Sequence, residues 1–304
     1  FSRIEEGRLK IEEAEFDLGQ AVEDIASLLA PRASEKGLEL LVHFSRLAPR
    51  LVIGDQGRVR QIILNLVNNA IKFTHEGYVL IHVDHVARRD GTNVFTIAVE
   101  DSGIGISSDK LDVIFERFSQ ADTSTTRFYG GTGLGLTISR QLAQLMHGDI
   151  VVNSSLGTGS TFWFTVPLPL SEGQQPVFPD LASHAGNLSC YLVDAYDVTM
   201  RVHGEILTDL GLPHIVSFGH EVCDLLKRED PSRLRIVMID ERVEDVDCFV
   251  VARKVRELFP DEQVKLVLLA NPETILEDLH DKGVGFDRVL YKPLRPRLFA
   301  EQLN

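Results

Sequence analysis

Cysteine is scarce in this chain. Cys190, Cys223 and Cys248 are the only three among 304 residues, and no two of them stand at a C-x-x-C spacing. Such scatter argues against a zinc site and against a disulfide framework, and it suits a reducing cytoplasm in which each thiol is a small buried apolar group. Long apolar runs are missing as well. Nothing approaches the roughly 18 continuous apolar residues of a membrane span, and the first residues lack the basic, apolar and small-residue succession of a secretion signal. This stretch is therefore expected to be soluble and cytoplasmic, with an inner-membrane anchor left open for any longer parent. No dense Lys/Arg block offsets the 45 acidic residues and the formal net charge of −14. Direct contact with nucleic acid is excluded on that ground, because like charges repel the phosphate backbone. Internal sequence repeats are absent too.

What is present reads as ordinary globular protein, 44% apolar and 25% charged, and long enough for two domains. Residues 1–15, "FSRIEEGRLKIEEAE", start without a cap or a preceding loop and read as the end of a longer helix. From 16 to 169, strand-like runs ("LELLVHF", "YVLIHVDHV", "NVFTIAVED", "STFWFTVPL") alternate with helical ones ("RVRQIILNLVNNAIKF", "LGLTISRQLAQLMHG"). That pattern predicts a mixed α/β domain whose consecutive period-2 strands are antiparallel neighbours. A Pro, Gly, Ser and Gln-rich stretch without apolar periodicity makes 170–187 a linker. From 188 to 304 short apolar strands ("SCYLVD", "RIVMID", "KLVLLA", "RVLYKP") alternate with helical segments ("VTMRVHGEILTDLG", "EVCDLLKRED", "DCFVVARKVRELF", "ETILEDLHDKG"). Such repetition predicts a doubly wound parallel sheet with its crevice at the carboxyl ends of the strands.

Three stretches of the first domain carry chemistry. In "NLVNNAIKF", Asn65 and Asn69 stand four apart and share a helix face, while Ile62, Ile63, Leu66, Val67 and Ala70 form the apolar stripe. Their amide oxygens suit Mg²⁺ and Lys72 suits phosphate; a lone Asn is equally at home as a surface or capping residue. In "VEDSGIGIS", Asp101 ends a strand, can accept the exocyclic amine of a purine, and precedes Gly103 and Gly105, which permit close approach to a ring. The same letters fit a plain turn. In "YGGTGLGLTISRQLAQLMHG", Gly130, Gly131, Gly133 and Gly135 lead into a helix, whose exposed N–H groups and positive dipole end make an anion site. Alone, that loop also fits a linker or another nucleotide fold.

In this order the stretches resemble the ATP-binding catalytic domain of sensor histidine kinases, which shares its two-layer α/β sandwich with the Hsp90 chaperone, DNA gyrase B and MutL. "NLVNNAIKFT" from Asn65 is similar to the N box, "DSGIG" from Asp101 to the G1 box, "FERF" from Phe115 to the F box and "GTGLGL" from Gly131 to the G2 box. "GTGSTFWFTVPL" from Gly157 is similar to the closing strands, and the resemblance covers residues 1–169, with 1–15 as the end of the dimerisation hairpin. It implies ATP and Mg²⁺ as cofactors, with Asn69 as the Mg²⁺ ligand, Asn65 assisting and Lys72 on phosphate. Asp101 would read the adenine amine and Gly103 and Gly105 would floor the base pocket. The segment 116–131 would be a mobile lid with Arg117 near phosphate, and the backbone of Gly131, Thr132, Gly133, Leu134 and Gly135 would hold the phosphates. Thr161 is similar to a polar position near the adenine.

The second domain resembles a flavodoxin-like response-regulator receiver. Asp240 is similar to the phosphoacceptor, Lys292 to the lysine after the fifth strand, and Lys292–Pro293 implies a cis bond. Asp194 keeps one acid of the usual pair, but Ala195 replaces the other. Leu269 stands where a Thr or Ser hydroxyl is usual, and "RVEDVDC" where Met-Pro and Gly are usual. These departures imply a degenerate pseudo-receiver. None of the ten histidines has the context of the family's phosphoacceptor, an acid followed by Thr or Asn before Pro. The expectation is a hybrid kinase, in a tripartite arrangement of the BarA and GacS type. It would transfer the γ-phosphoryl of ATP to a histidine upstream of this stretch, while the pseudo-receiver docks or regulates. Expected partners are its own upstream helices, a further receiver or phosphotransfer domain, and a second copy in the parent homodimer. The alternative is an ATP-sensing pseudokinase or scaffold. An ATPase of the gyrase or MutL kind fits less well, because that group carries an acid where Asn65 stands, to activate water.

Overall fold

The computed structural model describes residues 9–111, 113–116, 134–173, 181, 187–194, 196–230, 232–243, 246–259, 262–274 and 285–303. The chain forms two compact units, Phe1–Pro176 and Val177–Asn304.

In the first unit, β2 (Glu39–Phe44), β4 (Tyr78–Ala87), β5 (Asn93–Asp101), β7 (Gly159–Pro167) and β6 (Asp149–Ser155) make one sheet in the order β2-β4-β5-β7-β6. All neighbours are antiparallel except β2 and β4. That parallel pair departs from the uniformly antiparallel expectation, because α2 (Gln56–Phe73) carries the chain over between them. Alternation decides the buried face: Phe95, Ile97, Val99 and Asp101 of β5 and Phe162, Phe164 and Val166 of β7 point into the core. There they join apolar residues of α1 (Leu18–Ser34), α2 and α3 (Gly135–Leu145). One sheet with helices over one face is the two-layer α/β sandwich.

Residues 9–13 are not helical, and β1 (Ala14–Asp17) pairs antiparallel with β3 (Leu51–Gly54). This corrects the reading of 1–15 as a helix end, of which residues 1–8 lie outside the described residues. Pairing buries Phe16, and the Glu12 N–H donates to the Asp55 carboxylate at 3.1 Å. Asp17 then caps α1 by accepting from the Gln20 N–H.

Helix α2 is fixed at both ends. Asp55 accepts from the Arg58 N–H at 3.0 Å, and at the far end the Lys36 ammonium donates to the carbonyls of Ile71, Lys72 and Thr74 at 2.6, 3.0 and 3.1 Å. A cation on those orphan carbonyls also answers the negative end of the dipole.

The second unit has β8 (Leu188–Val193), α4 (Asp197–Asp209), β9 (His214–Ser217), α5 (Val222–Arg228), β10 (Leu234–Asp240), α6 (Cys248–Leu258), β11 (Val264–Ala270), β12 (Arg288–Tyr291) and α7 (Pro296–Leu303). Its sheet is wholly parallel in the order β9-β8-β10-β11-β12, which is the flavodoxin-like 2-1-3-4-5 winding. Most of the helix expected at 273–283 lies outside the described residues. The three cysteines are buried and form no disulfide, and burial pushes the Cys190 thiol up to about 12. Among the described residues no helix is long and apolar enough to cross a membrane.

Candidate active site

Asp101 ends β5 on the helix-facing side of the sheet, 6% exposed. Its Oδ1 accepts from the Gly103 N–H at 2.9 Å. Burial pushes its pKa above the usual carboxylate value; the N–H groups of Gly103 and Ser160 pull against this, and the charge of Glu100 adds to the rise. Gly103 packs against the end of α2, where a Cβ would lie 2.5 Å from the Phe73 carbonyl oxygen and 2.9 Å from the Thr74 hydroxyl. The turn after β5 is thereby seated on the helix that carries the asparagines. Gly105, at φ +67°, sits against the backbone of Ser155, so its missing side chain first accommodates protein backbone.

Asn65, Asn69 and Lys72 occupy i, i+4 and i+7 of α2 and share a face. Asn65 Nδ2 donates to Ser139 Oγ at 3.0 Å, and a Cβ on Gly135 would lie 2.5 Å from Asn65 Oδ1. The amide face of α2 thus abuts the start of α3, whose N-cap is Leu134. Asn69 is half-buried one turn further on. The Lys72 ammonium lies 4.7 Å over the ring of Phe73, and burial, then the charge of Arg32, lowers its pKa. Thr137 donates to the carbonyls of Phe115 and Glu116 at 3.0 and 3.1 Å, which fastens the "FE" half of the F box to α3. Arg117, Phe118, Gly131, Thr132 and Gly133 lie outside the described residues.

Strand register corrects one expected contact. Asp101 pairs with Ser160 and Glu100 with Thr161, so Thr161 points to the sheet face opposite Asp101. Ser160 is the hydroxyl that shares the face of Asp101. Ser139, Ser160 and Thr74 were not singled out from sequence. Only the i+4 spacing from Gly135 to Ser139 hinted at any of them.

In the second unit Asp194 directly follows β8 and Asp240 ends β10, each 1% exposed. Lys292 Nζ donates to both carboxylate oxygens of Asp240 at 3.0 Å, and the Arg242 N–H donates to Oδ1 at 2.8 Å. Asp194 accepts from the Tyr196 N–H at 3.1 Å. The Lys292–Pro293 bond is cis. Leu269 is the strand neighbour of Asp240 and fully buried, so an apolar side chain fills the hydroxyl's expected place. Glu241 accepts from the N–H, Nδ2 and Oγ1 donors of Asn271 and Thr274, closing the β11 turn. Ala195 lies outside the described residues.

Residues 54–170 match the histidine kinase-, DNA gyrase B- and HSP90-like ATPases, and the first unit belongs to that family. The chain resembles relatives named as sensor proteins and sensor kinases. It is 43% identical over 319 residues to the autoinducer 2 sensor kinase/phosphatase LuxQ of Vibrio cholerae, an alignment that takes in 100% of this chain and 36% of that protein. It is 39% identical over 216 residues to the sensor protein GacS of Pseudomonas syringae, covering 71% of this chain and 24% of the relative. To the aerobic respiration control sensor ArcB of Escherichia coli it is 32% identical, covering 96% and 37%. The crystal structure of full-length ShkA in complex with AMPPNP has a TM-score of 0.77 and 27% identity over 99% of this chain and 59% of that one. The chain spans well under half the length of the curated relatives it matches.

Proposed function

We propose that the first unit binds ATP and transfers its γ-phosphoryl group to a histidine on helices upstream of this stretch, as the catalytic part of a two-component hybrid kinase. The observation that carries the reading is that the turn holding Asp101 and the start of α3 both pack against α2, the helix that carries Asn65, Asn69 and Lys72. The bound AMPPNP of the ShkA complex supports it. Asp101 accepts the adenine amine, while Ser160, on the same face, supplies a second polar atom. The N–H groups at the start of α3 face the phosphates, with Lys72 on the triphosphate side of α2. Arg117, Gly131, Thr132 and Gly133, expected to supply the remaining phosphate contacts, lie outside the described residues. An imidazole nitrogen of the upstream histidine displaces ADP from the γ-phosphorus, in line, so positioning and charge stabilisation supply the catalysis.

Mg²⁺ fits the donor set. Asn65 commits its Nδ2 to Ser139 and turns its Oδ1 toward Gly135, and Asn69 adds an amide oxygen one turn on. Hard oxygen donors suit this ion, which keeps several waters. Asn69 would hold it with Asn65 assisting, and when bound the ion neutralises phosphate charge.

Titrating Mg·ATP should show affinity reduced about a hundredfold in Asp101→Ala and Asn69→Ala, since each removes a contact to a charged or multiply donating group. Unaltered affinity in both variants would sink the assignment. Adding the upstream histidine hairpin should yield phosphohistidine; bound ATP with no transfer would make the chain an ATP-sensing scaffold instead.

For the second unit we propose a regulatory or docking role without phosphorylation, because Ala195 replaces one acid of the usual Mg²⁺-binding pair and the buried Leu269, strand neighbour of Asp240, replaces the usual hydroxyl. A small phosphodonor with Mg²⁺ should leave Asp240 unmodified by mass spectrometry, and a stable acyl-phosphate there would refute this.

A further inference from the structure

Asp101 stands between two segments: its Oδ1 accepts from the Gly103 N–H of the turn after β5, and its strand partner is Ser160 of β7. How Asp101 points therefore depends on how that turn is fixed to the β6–β7 hairpin. A backbone bond from the Gly157 N–H to the Ile104 carbonyl, 2.7 Å, joins the two tips. Between that bond and Asp101 stands the hydroxyl of Ser154, on β6. Its Oγ accepts from the Ile106 N–H at 2.7 Å, lies 2.8 Å from the Gly159 carbonyl oxygen and 2.9 Å from Ser160 Oγ.

The proton inventory of this cluster has one consistent arrangement. A serine has one proton to give and two lone pairs to receive with. The Gly159 carbonyl can only accept, so the Ser154 proton goes there. Ser160 is then the donor in the contact between the two hydroxyls, and the Ile106 N–H takes the second lone pair of Ser154. Ser160 is left with lone pairs alone to offer on the face it shares with Asp101. The hydroxyl of Thr74, beside Gly103, likewise gives its proton to the Ala70 carbonyl at 2.7 Å. The groups around Asp101 are thus set as acceptors, which suits a ring bearing an amine and opposes a ring bearing an oxygen at the same place.

We infer that Ser154 is a positioning residue for the nucleotide base: its hydroxyl ties the Gly103–Ile106 turn to the hairpin that carries Ser160, and so fixes the acceptor pattern that selects a 6-aminopurine over a 6-oxopurine. This rests on the nucleotide reading of the site. It adds to that reading a residue that need touch no nucleotide and that lies 48 positions from the turn it holds.

The test is a titration of the 304-residue chain with ATP and with inosine triphosphate across pH, for the native protein, Ser154→Ala, Ser154→Thr and Asp101→Asn. Ser154→Ala leaves the Ile106 N–H without its acceptor and should weaken ATP about tenfold while weakening inosine triphosphate less, so that discrimination between them shrinks. ATP binding is lost at low pH as Asp101 is protonated. Loosening the N–H groups of Gly103 and Ser160 removes what holds the carboxylate charged, so this acid limb should move to higher pH in Ser154→Ala. Ser154→Thr, which keeps the hydroxyl on a strand, should restore both. Unchanged ATP affinity and acid limb in Ser154→Ala would overturn the inference. So would an equal loss for both nucleotides together with a lowered melting temperature, which would reveal a purely structural serine. If instead native protein and Asp101→Asn bind ATP alike, the nucleotide reading itself has failed.

Discussion

Replacing Lys292 by methionine is expected to destabilise the second unit by about 3–5 kcal/mol, the scale for removing one partner of a buried ion pair. Side chains of both partners are at most 5% exposed, and the ammonium reaches both oxygens of Asp240 at 3.0 Å. Without it the carboxylate keeps the Arg242 N–H at 2.8 Å but stands beside the buried, apolar Leu269. Calorimetry should show the unfolding transition of this unit falling by about 15 °C or more. The double variant Asp240→Leu/Lys292→Met removes both charges and should recover most of the loss, because an apolar pair of similar volume roughly replaces a buried ion pair. A single variant as stable as the native chain would show that the pair contributes nothing.

The second large effect is acid sensitivity carried by His203 on α4. The imidazole is 1% exposed, and neither ring nitrogen has a hydrogen-bond partner among the described residues. Burial depresses its pKa from the ordinary 6.5 to about 4; the charge of Asp240 raises it and that of Lys292 lowers it. Between those values the unfolded chain takes up a proton that the folded chain refuses. The stability associated with neutral His203 is therefore complete above about pH 6.5 and is lost as pH falls toward 4. The loss over that window is about 3 kcal/mol from this one group. His203→Leu should flatten this part of the denaturation profile without affecting the profile at neutral pH. An unchanged slope between pH 6.5 and 4 would show that His203 titrates normally. Because Lys292 opposes protonation, Lys292→Met should also move the His203 midpoint upward, which a histidine titration by NMR reads directly.

Much of the architecture follows from local pattern. The apolar stripe of α2, the alternation along β5 and β7, and the short buried strands of the second unit each announce themselves by period. Other elements do not. Helix α1 is rich in alanine and carries Pro31 near its end, so its sequence shows a weak helical stripe; it is helical because its apolar side is wanted by the sheet. β1 and β3 are four residues each, and neither is evident until the other lies beside it. β9 is equally short, and at the sheet edge it exposes Ile215 and Val216, so no clean alternation marks it.

The choice between Ser160 and Thr161 shows the limit most plainly. Both are hydroxyls in one strand, and a shift of one position reverses the face of the sheet, so only the pairing with β5 selects Ser160. Asn65 and Ser139 are 74 positions apart, and Asp240 and Lys292 are 52 apart. Sequence alone determined which chemical groups were available, their spacing within each element, and the ATPase family to which the first unit belongs, because helix and strand periods and motif order are local properties of the chain. Tertiary structure alone decided which groups meet: that Asn65 turns its oxygen to Gly135, that Ser154 joins two segments, and that Lys292 holds Asp240. The reason is that hydrogen bonds act over about 3 Å, and long-range pairing, which no local period encodes, sets distances on that scale.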